Sequence, residues 1–189
     1  MAKAIQLRTL EDIAAFLAAS KDCAAAFRAV AALGLPDCWI GAGFVRSRVW
    51  DALAGRATAQ PKDDIDVVYF DPADTTKEKD LTIEAALGRS APEHHWSVKN
   101  QARMHGRNGD APYRDTIDAM AHWPETATAI AARLEAGAVV LAAPYGVDDL
   151  VDLVVRPTPI FRHKMNVFRA RLAAKNWRAR WPEITIVDA

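Results

Sequence analysis

The chain has 189 residues, 51% of them hydrophobic and 25% charged, with 24 basic side chains against 24 acidic ones. That is the size and composition of one globular domain with enough chain to bury a core. A net charge of zero excludes a partner chosen by overall charge, whether nucleic acid or an anionic membrane, so any electrostatic preference must come from local clustering.

Cys23 and Cys38 are the two cysteines. With no metal-type Cys/His spacing, no signal-peptide pattern and no long uncharged apolar run, the expectation is a cytoplasmic protein with reduced thiols and no membrane partner. His94 and His95 are adjacent, so on a strand they face opposite ways and make a poor shared zinc site.

Thr9 and Asp12 have the spacing of a helix N-terminus, and Leu10, Ile13, Phe16 and Leu17 form one apolar face. Ser20 predicts a second cap, for an alanine-rich helix from Lys21 to Leu33 that Gly34 and Pro36 end. Cys38-Trp39-Ile40 is a short apolar strand. The turn Gly41-Ala42-Gly43 and a helix over Phe44–Leu53 follow it. Glycines at such a turn let the backbone approach a ligand, and the helix start offers free N–H groups to an anion. A plain tight turn has the same spelling. Arg46 and Arg48 stand in the first helical turns, within reach of a phosphate or simply at the surface.

A polar loop, Gly55–Asp63, leads into Asp64-Ile65-Asp66-Val67-Val68-Tyr69-Phe70. Its β-branched and aromatic residues predict a strand. Residues i and i+2 share a face, so Asp64 and Asp66 project side by side and Val68 and Phe70 continue that face. Adjacent carboxylates repel unless a cation lies between them, and Mg²⁺ characteristically takes one or two carboxylates plus water and phosphate oxygens. Solvated acids at a strand end are the alternative.

A helix is expected from Lys77 to Leu87, ended by Gly88. His94–Gln101 alternates as a strand, and Ala102–Asp110 reads as a polar loop. Asn100, Gln101, Arg103 and His105 make that stretch unusually rich in groups able to face a ligand. Pro112–Met120 and Glu125–Leu134 are read as helices, with Pro124 suited to a helix start, and Ala138–Ala142 as a buried strand. Val147–Val155 reads as a short helix or a strand at its end, its acids solvated near an N-terminus. The last segment places Phe161, Met165, Phe168 and Leu172 on one helical face. Arg162, Lys164, Arg169, Arg171, Lys175, Arg178 and Arg180 lie on the other, which reads as a solvated face or, alternatively, a nucleic-acid backbone surface.

The order of glycine turn, helix and D-x-D strand resembles polymerase-beta-like nucleotidyltransferases. More specifically, several long stretches in the same order resemble one bacterial nucleotidyltransferase family of that superfamily. They are Gly41–Arg46, Val49-Trp50-Asp51, Asp64–Asp71, Lys99–His105, Trp123–Thr128 and Pro144–Leu150. The resemblance implies an α/β (α+β) fold with a mixed twisted sheet, flanking helices and helical additions at both ends. We divide the single domain into a helical part (1–36), a sheet core (37–155) and a C-terminal helical part (156–189).

The resemblance also implies metal-dependent transfer of a nucleoside monophosphate from a nucleoside triphosphate to a hydroxyl on a small molecule, protein or RNA. Asp64 and Asp66 would hold Mg²⁺ or Mn²⁺. Gly41, Ala42, Gly43 and Arg46 would contact the triphosphate, with Asn100, Gln101, Arg103 and His105 facing nucleotide or acceptor. Three departures stand out. Ala42 occupies the place of a serine or glycine, the gap from the turn to Asp64 is long, and Asn100 stands where the next strand normally brings a third acid. Asp51, Glu93 and Asp118 are possible substitutes. A degenerate module of the same fold, binding a nucleotide or protein without turnover, is the alternative.

Overall fold

The computed structural model describes residues 6–56 and 64–188. Two helices open it, α1 (Leu10–Ala19) and α2 (Lys21–Ala31). Thr9 and Asp12 close a capping box, each side chain accepting from the other's backbone N–H, at 3.1 and 3.0 Å. Ser20 caps α2 by accepting from the Cys23 N–H. Both cysteines are free, and no described helix is long and apolar enough to cross a membrane.

Strand β1 (Trp39–Gly41) runs into α3 (Gly43–Leu53), as expected from the glycine turn. The polar loop between α3 and the acidic strand lies outside the described residues apart from Gly55 and Arg56. Then come β2 (Ile65–Tyr69), α4 (Lys77–Ser90) and β3 (Trp96–Asn100). Gly88 lies inside α4 and does not end it. The expected loop after β3 is a 3-10 turn (Gln101–Arg103) followed by the short helix α5 (Met104–Asn108).

Of the helix expected over Pro112–Met120, only α6 (Thr116–Ala121) forms, capped by Asp115. The helix expected over Glu125–Leu134 is absent. Its second half is β4 (Ala131–Glu135), paired antiparallel with both β1 and β5 (Ala138–Ala142). Ala131 and Ala132 favour helix in isolation. Pairing with Gly41 and Ile40 of β1 outweighs that preference, because a strand position is set by the neighbours it packs on.

The rest is α7 (Asp148–Val151), β6 (Val154–Val155), a 3-10 turn (Ile160–Lys164), α8 (Met165–Lys175) and β7 (Thr185–Ile186), which pairs parallel with β6.

The main sheet has the order β3-β2-β1-β4-β5 and is mixed: only β2 and β3 run parallel. Ile65, Val67 and Tyr69 point into the main core, with Ile13, Leu17, Phe27 and Leu87. The opposite face carries a smaller cluster of Trp39, Val68, Met120, Ala131 and Ala142. Asp66 shares that second face by strand alternation.

Candidate functional site

Register alone brings the two sequence motifs together. Gly41, the last residue of β1, pairs directly with Asp66 of β2. The chain then turns at Ala42 and starts α3, so the N-terminus of that helix stands over the acids. Ala42 supplies no side-chain cap, and the first N–H groups of a helix have no partner within it. A cavity of about 280 Å³ results, lined by Ala42, Gly43 and Arg46 on one side and Asp64 and Asp66 on the other. Arg171 and Lys175 of α8 complete the wall.

The turn is strained. Ala42 has φ 52° and ψ −121°, a region favoured by glycine and costing other residues about 1–3 kcal/mol. Its N–H is held by the Ile130 carbonyl at 2.9 Å. We expect Ala42→Gly to stabilise the protein by about 1 kcal/mol, the strain relief exceeding the entropy added to the unfolded chain. Ala42→Val should lower stability by about 1–3 kcal/mol. Urea unfolding of the two variants checks the opposite signs.

The flanking glycines differ in what they do. A Cβ on Gly41 would sit 2.8 Å from the Trp123 ring, so its bareness makes room for that indole. A Cβ on Gly43 would meet only Arg46 at 3.6 Å, which leaves the helix start open to a ligand. Arg46 is buried. It donates to Thr128 Oγ1 at 2.9 Å and lies over the rings of Trp50 and Trp177. Arg48 turns away, donating to Asp22 at 2.7 Å and to the Phe44 carbonyl.

Asp64 is exposed and Asp66 half-buried. Burial pushes the Asp66 carboxyl above the usual aspartate range. Lys175 pulls it back down, Asp64 pushes it up, and Lys99 and Arg171 pull it down. Asp66 is thus a carboxylate held at a cost among several cations.

Arg171 is itself fixed. Its Nε donates to Oε1 of the fully buried Glu125 at 2.6 Å. Sequence reading missed Arg171 and Lys175 as site residues. Their four-residue spacing put them on one helical face, but nothing in the chain said what that face opposes.

Of the polar set after β3, only Gln101 lines a cavity next to Asp66. That cavity is larger, about 900 Å³, and shares Ala42, Asp66, Arg171 and Lys175 with the first. Gln101 donates to the Lys99 carbonyl. Asn100 pairs in register with Tyr69, on the face of β2 away from Asp66. Its amide accepts from the N–H groups of Asp71 and Ala102 and donates to the carbonyls of Asp71 and Asp74, tying down the loop before α4. Arg103 is paired with buried Asp80, and His105 bonds the Ala102 carbonyl beside Tyr113. Those three side chains do not reach the acids, because each is spent on local structure.

Asn100 therefore does not stand in for a third acid; Ser97 is the β3 residue beside Asp66. The possible substitutes are elsewhere too. Asp51 accepts from Arg180 and Trp181, Asp118 from Arg114, and Glu93 lies beside His94. Among the described residues no group of three or more His, Cys, Asp or Glu could hold a metal. Asp149, expected to be solvated, accepts from Thr126 and pairs with Arg156.

The family described as Nucleotidyltransferase has a sequence model that matches residues 28–186. Among solved structures, the NMR structure of a CCA-adding enzyme head domain is 32% identical over 99% of this chain and 100% of its own, at a TM-score of 0.88. A Thermotoga maritima CCA-adding enzyme complexed with tRNA is 16% identical at a TM-score of 0.57, and a CCA-adding enzyme in complex with CTP is 17% identical at 0.57. Each of these two covers 95% of this chain, which spans only 42% and 43% of theirs; the likeness shows the fold alone. No curated protein matches the sequence.

Proposed function

This chain belongs to the nucleotidyltransferase family, and from that premise we propose that it moves a nucleoside monophosphate from a nucleoside triphosphate to an acceptor hydroxyl, with Mg²⁺ or Mn²⁺ held by Asp64 and Asp66. The observation that carries this reading is the Gly41–Asp66 register pair. It sets a helix N-terminus and an acid pair against one cavity.

The donor set fits the ion. Two neighbouring carboxylates, one of them poorly solvated, gain from a hard cation that leaves its other positions to water and phosphate oxygens. When bound, the ion polarises phosphoryl oxygens and lowers the pKa of a hydroxyl. The protein's own groups bind and orient. The amides at Gly43 and the next residues take terminal phosphate oxygens. Arg171 and Lys175 neutralise the polyphosphate, with Glu125 fixing the guanidinium. Arg46, held over the rings of Trp50 and Trp177, adds a fixed positive charge behind the turn.

A second reading keeps the binding and drops the chemistry. It is favoured by the missing third acid among the described residues. Calorimetry with each nucleoside triphosphate and Mg²⁺, followed by a pyrophosphate-release assay, separates the two. Binding with release supports the enzyme; binding without release selects the degenerate module.

The site also predicts a pH signature. Asp66 must be ionised to hold a cation, and its folded-state pKa is raised. Metal-dependent nucleotide binding should therefore fail, as pH is lowered, earlier than an ordinary aspartate would dictate. Calorimetric titrations of wild type across a pH series, with and without Mg²⁺, check this; in Asp66→Asn the metal-dependent component should be lost at every pH.

A further inference from the structure

Asp80 and Arg103 form an ion pair at the β3 edge of the sheet, and one arm of the arginine is left over. Asp80 is buried and accepts from the Tyr69 hydroxyl at 2.8 Å, from the Asn100 N–H at 3.2 Å and from Arg103 Nη2. The other terminal nitrogen of Arg103, Nη1, is buried and has no hydrogen-bond partner among the described residues. A buried N–H without an acceptor is costly. Arg103 borders a cavity of about 440 Å³ between α4, β3 and the turn and helix after β3. We propose that this cavity binds a small aliphatic dicarboxylate, one of whose carboxylates pairs with Arg103.

The charge of the ligand follows from the walls. Lys77 comes from α4, Lys99 from β3, and Arg103 and Arg107 from the turn and helix that follow; the acid among them is Asp80, whose charge Arg103 already answers. The Lys99 amine donates to the Val98 carbonyl. Among the described residues, Lys77, Lys99 and Arg107 have no acid within salt-bridge distance. Like charges gathered from three elements repel unless an anion lies among them. Because they stand on separate walls, two carboxylates joined by a chain can meet them at separate points. A planar carboxylate also suits the free arm of a guanidinium.

The rest of the lining says what joins the two acids. It is aliphatic: Met104, and Leu81, which at 61% is the most exposed large apolar side chain among the described residues. A methylene chain laid on these two takes their surface out of water. No aromatic ring of the described residues lines the cavity, so a base has nothing to stack on. An inorganic phosphate would leave both apolar side chains wet. The volume lies in the range of a small-molecule site. Lys99, Met104 and Arg107 also border the larger cavity beside Asp66, whereas Lys77 and Leu81, one turn apart on α4, do not. Those two side chains therefore address the smaller cavity alone.

The test uses the full chain and three probes at matched ionic strength: pimelate, its one-acid counterpart heptanoate, and inorganic phosphate. Methyl NMR of the labelled protein reads each titration at the site itself. Pimelate should shift the Leu81 and Met104 methyl signals saturably, with millimolar affinity or better. Heptanoate should bind about tenfold more weakly, for want of the second charge-assisted contact. Phosphate should neither move the two methyls nor displace pimelate. The double variant Lys77→Gln/Leu81→Gln, both side chains being exposed, should weaken pimelate binding by about tenfold, read on the Met104 methyl. Its MgATP binding by calorimetry should match wild type. The proposal is overturned by an absence of saturable shifts with pimelate, by equal affinity for pimelate and heptanoate, by displacement of pimelate with phosphate, or by wild-type pimelate affinity in the double variant. Parallel loss of MgATP binding in that variant would also overturn it, by merging the two cavities into one site.

Discussion

Asp66→Asn should lower nucleotidyl transfer by about 10³-fold or more, equivalent to roughly 4 kcal/mol of lost transition-state stabilisation, and should raise the melting temperature of the metal-free protein. Both effects have one origin. Asparagine keeps the shape and removes the charge, so no cation is held. The stability gain follows from linkage. The folded-state pKa of Asp66 lies above its ordinary value, so between the two values the native state binds the extra proton. Stability from this group therefore falls as pH rises through that window and stays lower above it. A neutral side chain escapes the penalty at neutral pH. Pyrophosphate release, and thermal unfolding in EDTA at acidic and neutral pH, measure the two arms. Wild-type turnover in the variant would remove the acids from the chemistry.

Trp50→Ala should cost about 3–5 kcal/mol, the range for deleting a fully buried large aromatic. The indole is fully buried and its Nε1 donates to the Leu150 carbonyl at 3.0 Å. It meets Trp177 and Trp181 edge-on, with ring centroids 5.8 and 5.1 Å apart. Next to it, buried Asp51 accepts from Arg180 at 2.6 Å and Trp181 at 3.0 Å. Helix α3 thus serves twice: its first turn faces the ligand cavity, and its later turns clamp the segment that follows α8. Loosening the clamp frees Arg171 and Lys175 from their posts over Asp66. Urea unfolding should show the stability loss, and below the transition KM for the triphosphate should rise more than kcat falls. Trp50→Phe keeps an aromatic contact and loses the N–H bond, so its cost should be nearer 1–2 kcal/mol.

The strand–turn–helix and the acidic strand were legible in the sequence because each rests on local rules. Alternation set the faces of β2, glycines marked the turn, and Thr9 and Ser20 marked two helix starts. What failed depended on partners far along the chain. β4 is spelled with alanines and became a strand only because β1 and β5 flank it. Asn100, Arg103 and His105 are engaged in local structure: Asn100 alone satisfies four backbone groups, three in the loop before α4 and one just after β3. The basic face of α8 showed its charge but not its target; periodicity tells which residues look the same way, never at what.

The centre draws on residues from Ala42 to Lys175, so its pieces leave the ribosome far apart in time. Roughly a hundred residues separate Asp66 from its cationic cover, several seconds of elongation at about 5–20 residues per second. A nascent chain that has paired its first strands carries bare acids with Arg46 as the one cation of that wall yet made. On the proposed function, retention of a triphosphate would have to wait for α8, so the order of synthesis would itself delay turnover.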